Sequence, residues 1–145
     1  MKKQIGLLTV VATLCGVVQL HAADVPAVSD AKVNRDQAQQ LLKERNEARP
    51  KAEAATKKLR DAGIRPESLG FEAAKTLRDQ QAAAGSKGQA LDGYVKTTKQ
   101  MEKKIQDEVY RGVKPPLAED IAHFERLQAE VDLARYSGRL PAKEE

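Results

Sequence analysis

The chain has 145 residues, a formal net charge of +4, 41% hydrophobic and 32% charged residues, which is the size and balance of one globular domain rather than of a disordered or membrane-embedded chain. Basic residues alternate with acidic ones, as in Lys43-Glu44-Arg45 and Glu102-Lys103-Lys104, the pattern of a solvated helix face and not of a nucleic-acid-binding stripe. The single cysteine, Cys15, lies in the N-terminal address segment, so a processed chain has no disulfide, no thiolate nucleophile and no Cys-ligated metal.

Residues 1–23 have the three parts of a secretory signal peptide. Lys2 and Lys3 supply the positive start, residues 5–20 are an almost unbroken apolar run without a charge, and Ala22 and Ala23 supply small residues for cleavage. The run is too short for a stable membrane span. Leu14 precedes Cys15, where a lipoprotein signal would have Gly or Ala, so no lipid anchor is expected. Cleavage after Ala22 or Ala23 places the product in the periplasm or outside the cell. It also removes Lys2 and Lys3, halving the formal charge. A weakly charged exported chain has no nucleic-acid partner.

A flexible leader, residues 24–30, carries Pro26 and no periodicity, and Ser29 or Asp30 can cap the first helix. A single helical domain then occupies residues 31–138. Its first helix is expected over residues 31–62, built from Ala, Leu, Glu, Lys, Arg and Gln, the best helix formers. Alternating steps of three and four pick out Ala38, Leu41, Arg45, Ala48, Ala52, Ala55, Leu59 and Ala62, a coiled-coil-like seam made mostly of alanine. Two backbones can approach closely along such a seam, so Ala38, Leu41, Arg45, Ala48, Ala52, Ala55 and Leu59 are its candidate partner-binding residues. Arg45 is out of place among small apolar neighbours: either its stem lies along the groove with its head in water, or it pairs with an acidic residue of a partner helix and sets register. Pro50 removes one backbone donor and either kinks or breaks the helix; the unbroken phase from Ala48 to Ala52 favours a kink. Gly63 with Ile64 after it is a Schellman ending, with Ile64 packing back on Leu59.

Pro66, at a first-turn position, starts a second helix through Phe71, Ala74, Leu77, Gln81 and Ala84 to Gly85. Ser86 with Gln89 forms a capping-box pattern for a third, through Leu91, Tyr94, Thr98, Met101, Ile105 and Val109 to Gly112. After the rigid Lys114-Pro115-Pro116 connector, Leu117, Ile121, Phe124, Leu127, Val131 and Ala134 mark a fourth, ending near Gly138. So short a connector makes the last two helices an antiparallel hairpin. Residues 139–145 form a polar, frayed tail. The fold class is therefore all-α: an elongated array or loose bundle of three to four helices. With Phe71, Tyr94, Tyr110, Phe124 and Tyr136 as the aromatic inventory and no Trp, the core is thin.

No combination of residues reaches a catalytic pattern. His123, the one histidine left after processing, lies three residues from Asp120, and Met101 across the hairpin completes a His and Met pair of the kind that holds haem; but His123 falls beside the apolar stripe, and the haem-attachment motif is missing. Ser29-Asp30-Ala31-Lys32 matches Ser-x-x-Lys without its companion motifs, and Gly85-Ser86-Lys87-Gly88 lacks P-loop spacing. No enzyme activity, cofactor or metal is expected. The reading that remains is a non-enzymatic cell-envelope protein acting through helix-helix contacts with a protein partner, itself as a homo-oligomer or another envelope protein. The alternative is a periplasmic carrier or holdase-like helical module for an apolar or anionic ligand.

Overall fold

A computed structural model describes residues 28–142 of the chain. The signal peptide, its cleavage point and the first part of the leader lie outside the described residues, as do the last three residues of the tail. Four helices make up the described fold: α1 (Val28–Asp61), α2 (Phe71–Ala83), α3 (Lys87–Tyr110) and α4 (Leu117–Tyr136), with a 3-10 turn at Pro66–Leu69 between α1 and α2. The domain is all-α, as composition and periodicity require.

The main contacts run in the order α1, α4, α3, α2: α4 packs against both α1 and α3, and α2 packs on α3 while reaching α4 through Phe71 and Lys75. Near the N-terminal half of α1, Ala38 meets Val131 and Ala134 of α4, while near its C-terminal end Ala55 and Leu59 meet Ile121. That order of contacts makes α1 and α4 antiparallel. Tyr94 and Val95 of α3 likewise meet Ala129, and Ile105 meets Ala118 and Ala122, so α3 and α4 form the expected antiparallel hairpin.

Burial on α4 explains its central place. Ile121, Val131 and Ala134 turn toward α1, whereas Ala118, Ala122 and Ala129 turn toward α3. A helix buried on two sides has apolar residues around most of its circumference, which is why this helix is the most apolar of the set. Ala118, Ala122 and Ala129 are completely buried and form a second small-residue seam, at spacings of four and seven, that lets α3 approach α4 closely.

Helix ends obey local sequence in some places and depart from it in others. Gly63 adopts φ +74; Ile64 N donates to Leu59 O at 2.9 Å and Gly63 N to Arg60 O at 2.9 Å, the two hydrogen bonds of the Schellman motif. Ile64 stays exposed, so hydrogen bonds carry this cap without the apolar clasp onto Leu59. α1 starts at Val28, inside the expected leader, which places Ser29 and Asp30 within the helix and not at its cap. It continues through Pro50 as one helix and is not broken into two pieces.

The second helix needs the largest correction. Gly70, at φ +87, closes the Pro66–Leu69 turn and opens α2 at Phe71, so the segment after Pro66 is two elements and not one. Within α2, Leu77 is exposed, whereas Phe71 is buried and Ala74, Lys75, Arg78 and Ala82 take the half-buried positions. The Ser86 side chain makes no cap hydrogen bond, so the capping box does not form. Leu140 corrects the frayed tail: it is buried against Ala38, Val131 and Ala134.

Candidate interaction site

The alanine seam of α1 is filled from within the chain. Ala38, Ala48, Ala52, Ala55 and Leu59 are buried, Leu41 is half-buried beside Ala38, and the occupant of the groove is the chain's own α4. Leu42, off the alternating three-and-four register, joins the Ala38 cluster as well, because a single flanking helix in a bundle covers a wider stripe than a coiled-coil seam. Ala62 is exposed beyond the end of α1.

Arg45 is the polar residue of that seam. It is half-buried, and its Nε is shielded from solvent without a hydrogen-bond partner. Burial first, then the neighbouring charges of Arg135 and Arg49, lower its pKa, with Asp132 opposing them. Arg135 on α4 repeats the pattern: its Nε is also buried and unpartnered, and its closest carboxylate contact, with Asp132, is 4.0 Å long. Two guanidinium groups with incomplete neutralisation, one on α1 and one on α4, are thus near enough for the charge of Arg135 to act on Arg45.

A better satisfied network joins α3 to α4. Arg126 Nε donates to Glu102 Oε2 at 2.7 Å and its Nη1 to Glu130 Oε2 at 2.6 Å, while Lys99 Nζ reaches the other Glu130 oxygen at 2.8 Å. His123 Nδ1 lies 2.9 Å from Glu102 Oε1 and 3.4 Å from an Arg126 nitrogen. The shorter contact is to an acceptor-only carboxylate, so Nδ1 carries the proton and donates to Glu102. That bond pins His123 at the edge of the α3/α4 interface. Met101 packs instead with Phe71, Ile105, Ala118 and Ala122, so His123 and Met101 are not brought together as a ligand set. Among the described residues, no group of three or more His, Cys, Asp or Glu side chains is disposed to hold a metal ion.

Where α2 approaches α4, Lys75 of α2 donates to Glu125 of α4 at 2.9 Å and to Glu72 at 3.0 Å. Tyr94 lies beneath Arg78, whose guanidinium carbon is 4.8 Å from the ring centroid. The Tyr94 hydroxyl is buried without a partner, and burial, reinforced by the Glu125 charge, pushes its pKa well up.

Among the open grooves along α4, two have volumes of about 450 Å³. One is acidic, lined by Glu44, Glu47, Glu119 and Asp120 with Lys51 and His123. The other lies at the opposite end, between the end of α2, the start of α3 and the end of α4, and carries Arg78, Lys87 and Arg135. Sequence periodicity does not reveal either, because each gathers polar residues from several helices. No helix among the described residues is long and apolar enough to cross a membrane. No protein-family model matches the chain, and neither a curated protein nor a solved structure shows significant similarity to it.

Proposed function

We propose that this chain is an exported, non-enzymatic protein of the cell envelope that acts by presenting helical surfaces to a protein partner, either a second copy or another exported protein. The observation that carries the reading is the mismatch between α1 and its internal partner. α1 has 34 residues and α4 has 20, and Ala38 already meets Ala134 and Leu140, near where α4 ends. Residues 28–37 therefore extend past the end of α4 by about 15 Å at 1.5 Å per residue. Asn34, Arg35, Asp36 and Gln37 are exposed there. A helix longer than the groove that holds it offers its free part to another helix. Export is supported by the charge and hydropathy pattern of residues 1–23.

Photo-crosslinking in intact cells tests this reading directly, with a benzophenone side chain at position 35, on the free part of α1, and at position 103, on the outer face of α3. A discrete adduct from position 35, together with a mature N-terminus after residue 22 or 23, is expected; an adduct of twice the chain's mass identifies a homo-oligomer. Retention of residues 1–23 on a cytoplasmic protein, or equal diffuse labelling from both positions, overturns it. Leu59→Glu is no test of self-association, because Leu59 is buried against α4 and the Pro66–Leu69 turn and the substitution would unfold the domain itself.

A further inference from the structure

We propose that the groove between α2, α3 and α4 binds a small amphiphilic anion, a carboxylate or phosphate head on a short apolar body. The inference does not depend on the partner reading above.

The groove has an apolar floor and a basic rim. Ala82, Leu91, Tyr136 and Ala142 line it together with Arg78, Lys87 and Arg135. Its volume of about 450 Å³ falls in the lower half of the range for small-molecule sites. Gly88 helps to shape it, because a Cβ there would stand 3.0 Å from Tyr136 Cε1; the missing side chain lets the Tyr136 ring lie against the start of α3.

Its charges are unequally neutralised. Asp79 and Asp132 also line the groove: Arg78 holds Asp79 at 2.7 Å, and Asp132, which accepts from the Gln128 amide at 2.8 Å, keeps its charge, so the basic groups of the lining exceed the acidic ones by one. Arg135 has only the 4.0 Å contact with Asp132. Lys87 has no carboxylate within ion-pair distance among the described residues, and its ammonium lies 5.8 Å from the Tyr136 ring centroid. Lys87 is also the first residue of α3, at a helix start where Ser86 provides no side-chain cap, so unpaired backbone N–H groups add to the positive field.

An anion entering here gains charge-assisted contacts with Arg135 and Lys87, and its apolar body covers Leu91, Ala82 and the Tyr136 ring. Neither half suffices alone. A free inorganic anion leaves the apolar floor wet, and a neutral chain leaves the excess positive charge unneutralised.

Isothermal titration of the purified chain below the micellar concentrations of the probes tests this. Dodecanoate and dodecyl phosphate are expected to bind at one site, with dodecanol and dodecyltrimethylammonium at least about tenfold weaker and inorganic phosphate showing no heat of binding. Arg135→Gln and Lys87→Gln should each weaken dodecanoate binding by about tenfold, the scale of one charge-assisted contact. Lys103→Gln, on the exposed outer face of α3, should leave it unchanged. Lys87 is itself exposed, so its variant keeps the test decisive if Arg135→Gln lowers stability. Equal affinity for dodecanol, equal affinity for inorganic phosphate, or binding indifferent to Lys87→Gln overturns the proposal.

Discussion

Arg126 of α4 and Glu102 of α3 meet at 2.7 Å in a bond whose carboxylate side chain is only 12% exposed, and the same guanidinium continues to Glu130 at 2.6 Å. One side chain thus ties the two antiparallel helices together and orients the neighbour on its own helix. Because Glu102 also accepts from His123, it is the node on which two α4 side chains converge.

Removing that node leaves Arg126 half-buried but still paired with Glu130, so the full penalty of an orphaned charge does not arise. Glu102→Ala is therefore expected to lower stability by about 1–2 kcal/mol, below the roughly 3–5 kcal/mol typical when a buried charge loses every partner. Urea denaturation checks this as a lower midpoint with an unchanged slope. Since the pair is largely screened from solvent, the difference should persist at high salt, unlike that of the exposed Arg49 and Glu53 pair.

Tyr94 presents the opposite balance, a buried polar group that gains nothing from its polarity. Tyr94→Phe keeps the ring beneath Arg78 and deletes a hydroxyl that has no partner. It should be neutral or stabilising by about 1 kcal/mol, read as a rise in Tm. The pH dependence has a definite sign. A tyrosine pKa raised in the folded state favours the neutral hydroxyl there, so its contribution is complete below the unfolded pKa of 10.0 and declines as pH rises above it. Spectrophotometric titration should show one phenol that ionises only with alkaline unfolding, and Tyr94→Phe should abolish that late step.

Arg45→Met separates the two roles the seam's lone charge can have. The methionine preserves the apolar stem and relieves both the buried Nε and the nearness to Arg135. Within the isolated domain the substitution should therefore raise stability by about 0.5–2 kcal/mol. A register-setting role toward a partner predicts a simultaneous loss of crosslinking from position 35. Greater stability without that loss assigns Arg45 to the packing of α1 on α4 alone.

Much of this arrangement is legible in the chain itself. The Ala38 to Leu59 seam, the Leu91, Tyr94, Thr98 and Ile105 stripe and the glycine endings at Gly63, Gly112 and Gly138 arise from helical periodicity and backbone sterics, and the structure keeps them. The pattern does not carry the identity of the neighbour. An alanine seam specifies a close approach but is indifferent to whether the approaching helix belongs to another molecule or to α4. Leu77 fails for a related reason: periodicity places it inward, but α2 packs mainly on α3, turns Phe71 and Lys75 toward α4, and gives a half-buried position to Arg78 over Tyr94. Pro50 is exposed, which lets α1 pass through it without disturbing the packed side. The basic groove is invisible in the sequence because Arg78, Lys87 and Arg135 are ordinary surface residues until three helix ends bring them together.

The second alanine seam gives the most discriminating test of the architecture. Ala122 is fully buried between α4 and α3, beside Ile105 and Phe71, whereas Ala54 is exposed on the outer side of α1. Both residues are helical and both replacements by leucine keep high helix propensity, so any difference between them reports packing alone. Ala122→Leu forces extra methylene and methyl groups into a contact with no room for them and should cost about 1–3 kcal/mol or more. Ala54→Leu should fall within about 0.5 kcal/mol of the parent. If both substitutions prove neutral in chemical denaturation, α3 does not lie close along α4 at Ala122 and the hairpin is packed differently; a selective loss at Ala122 requires that close approach.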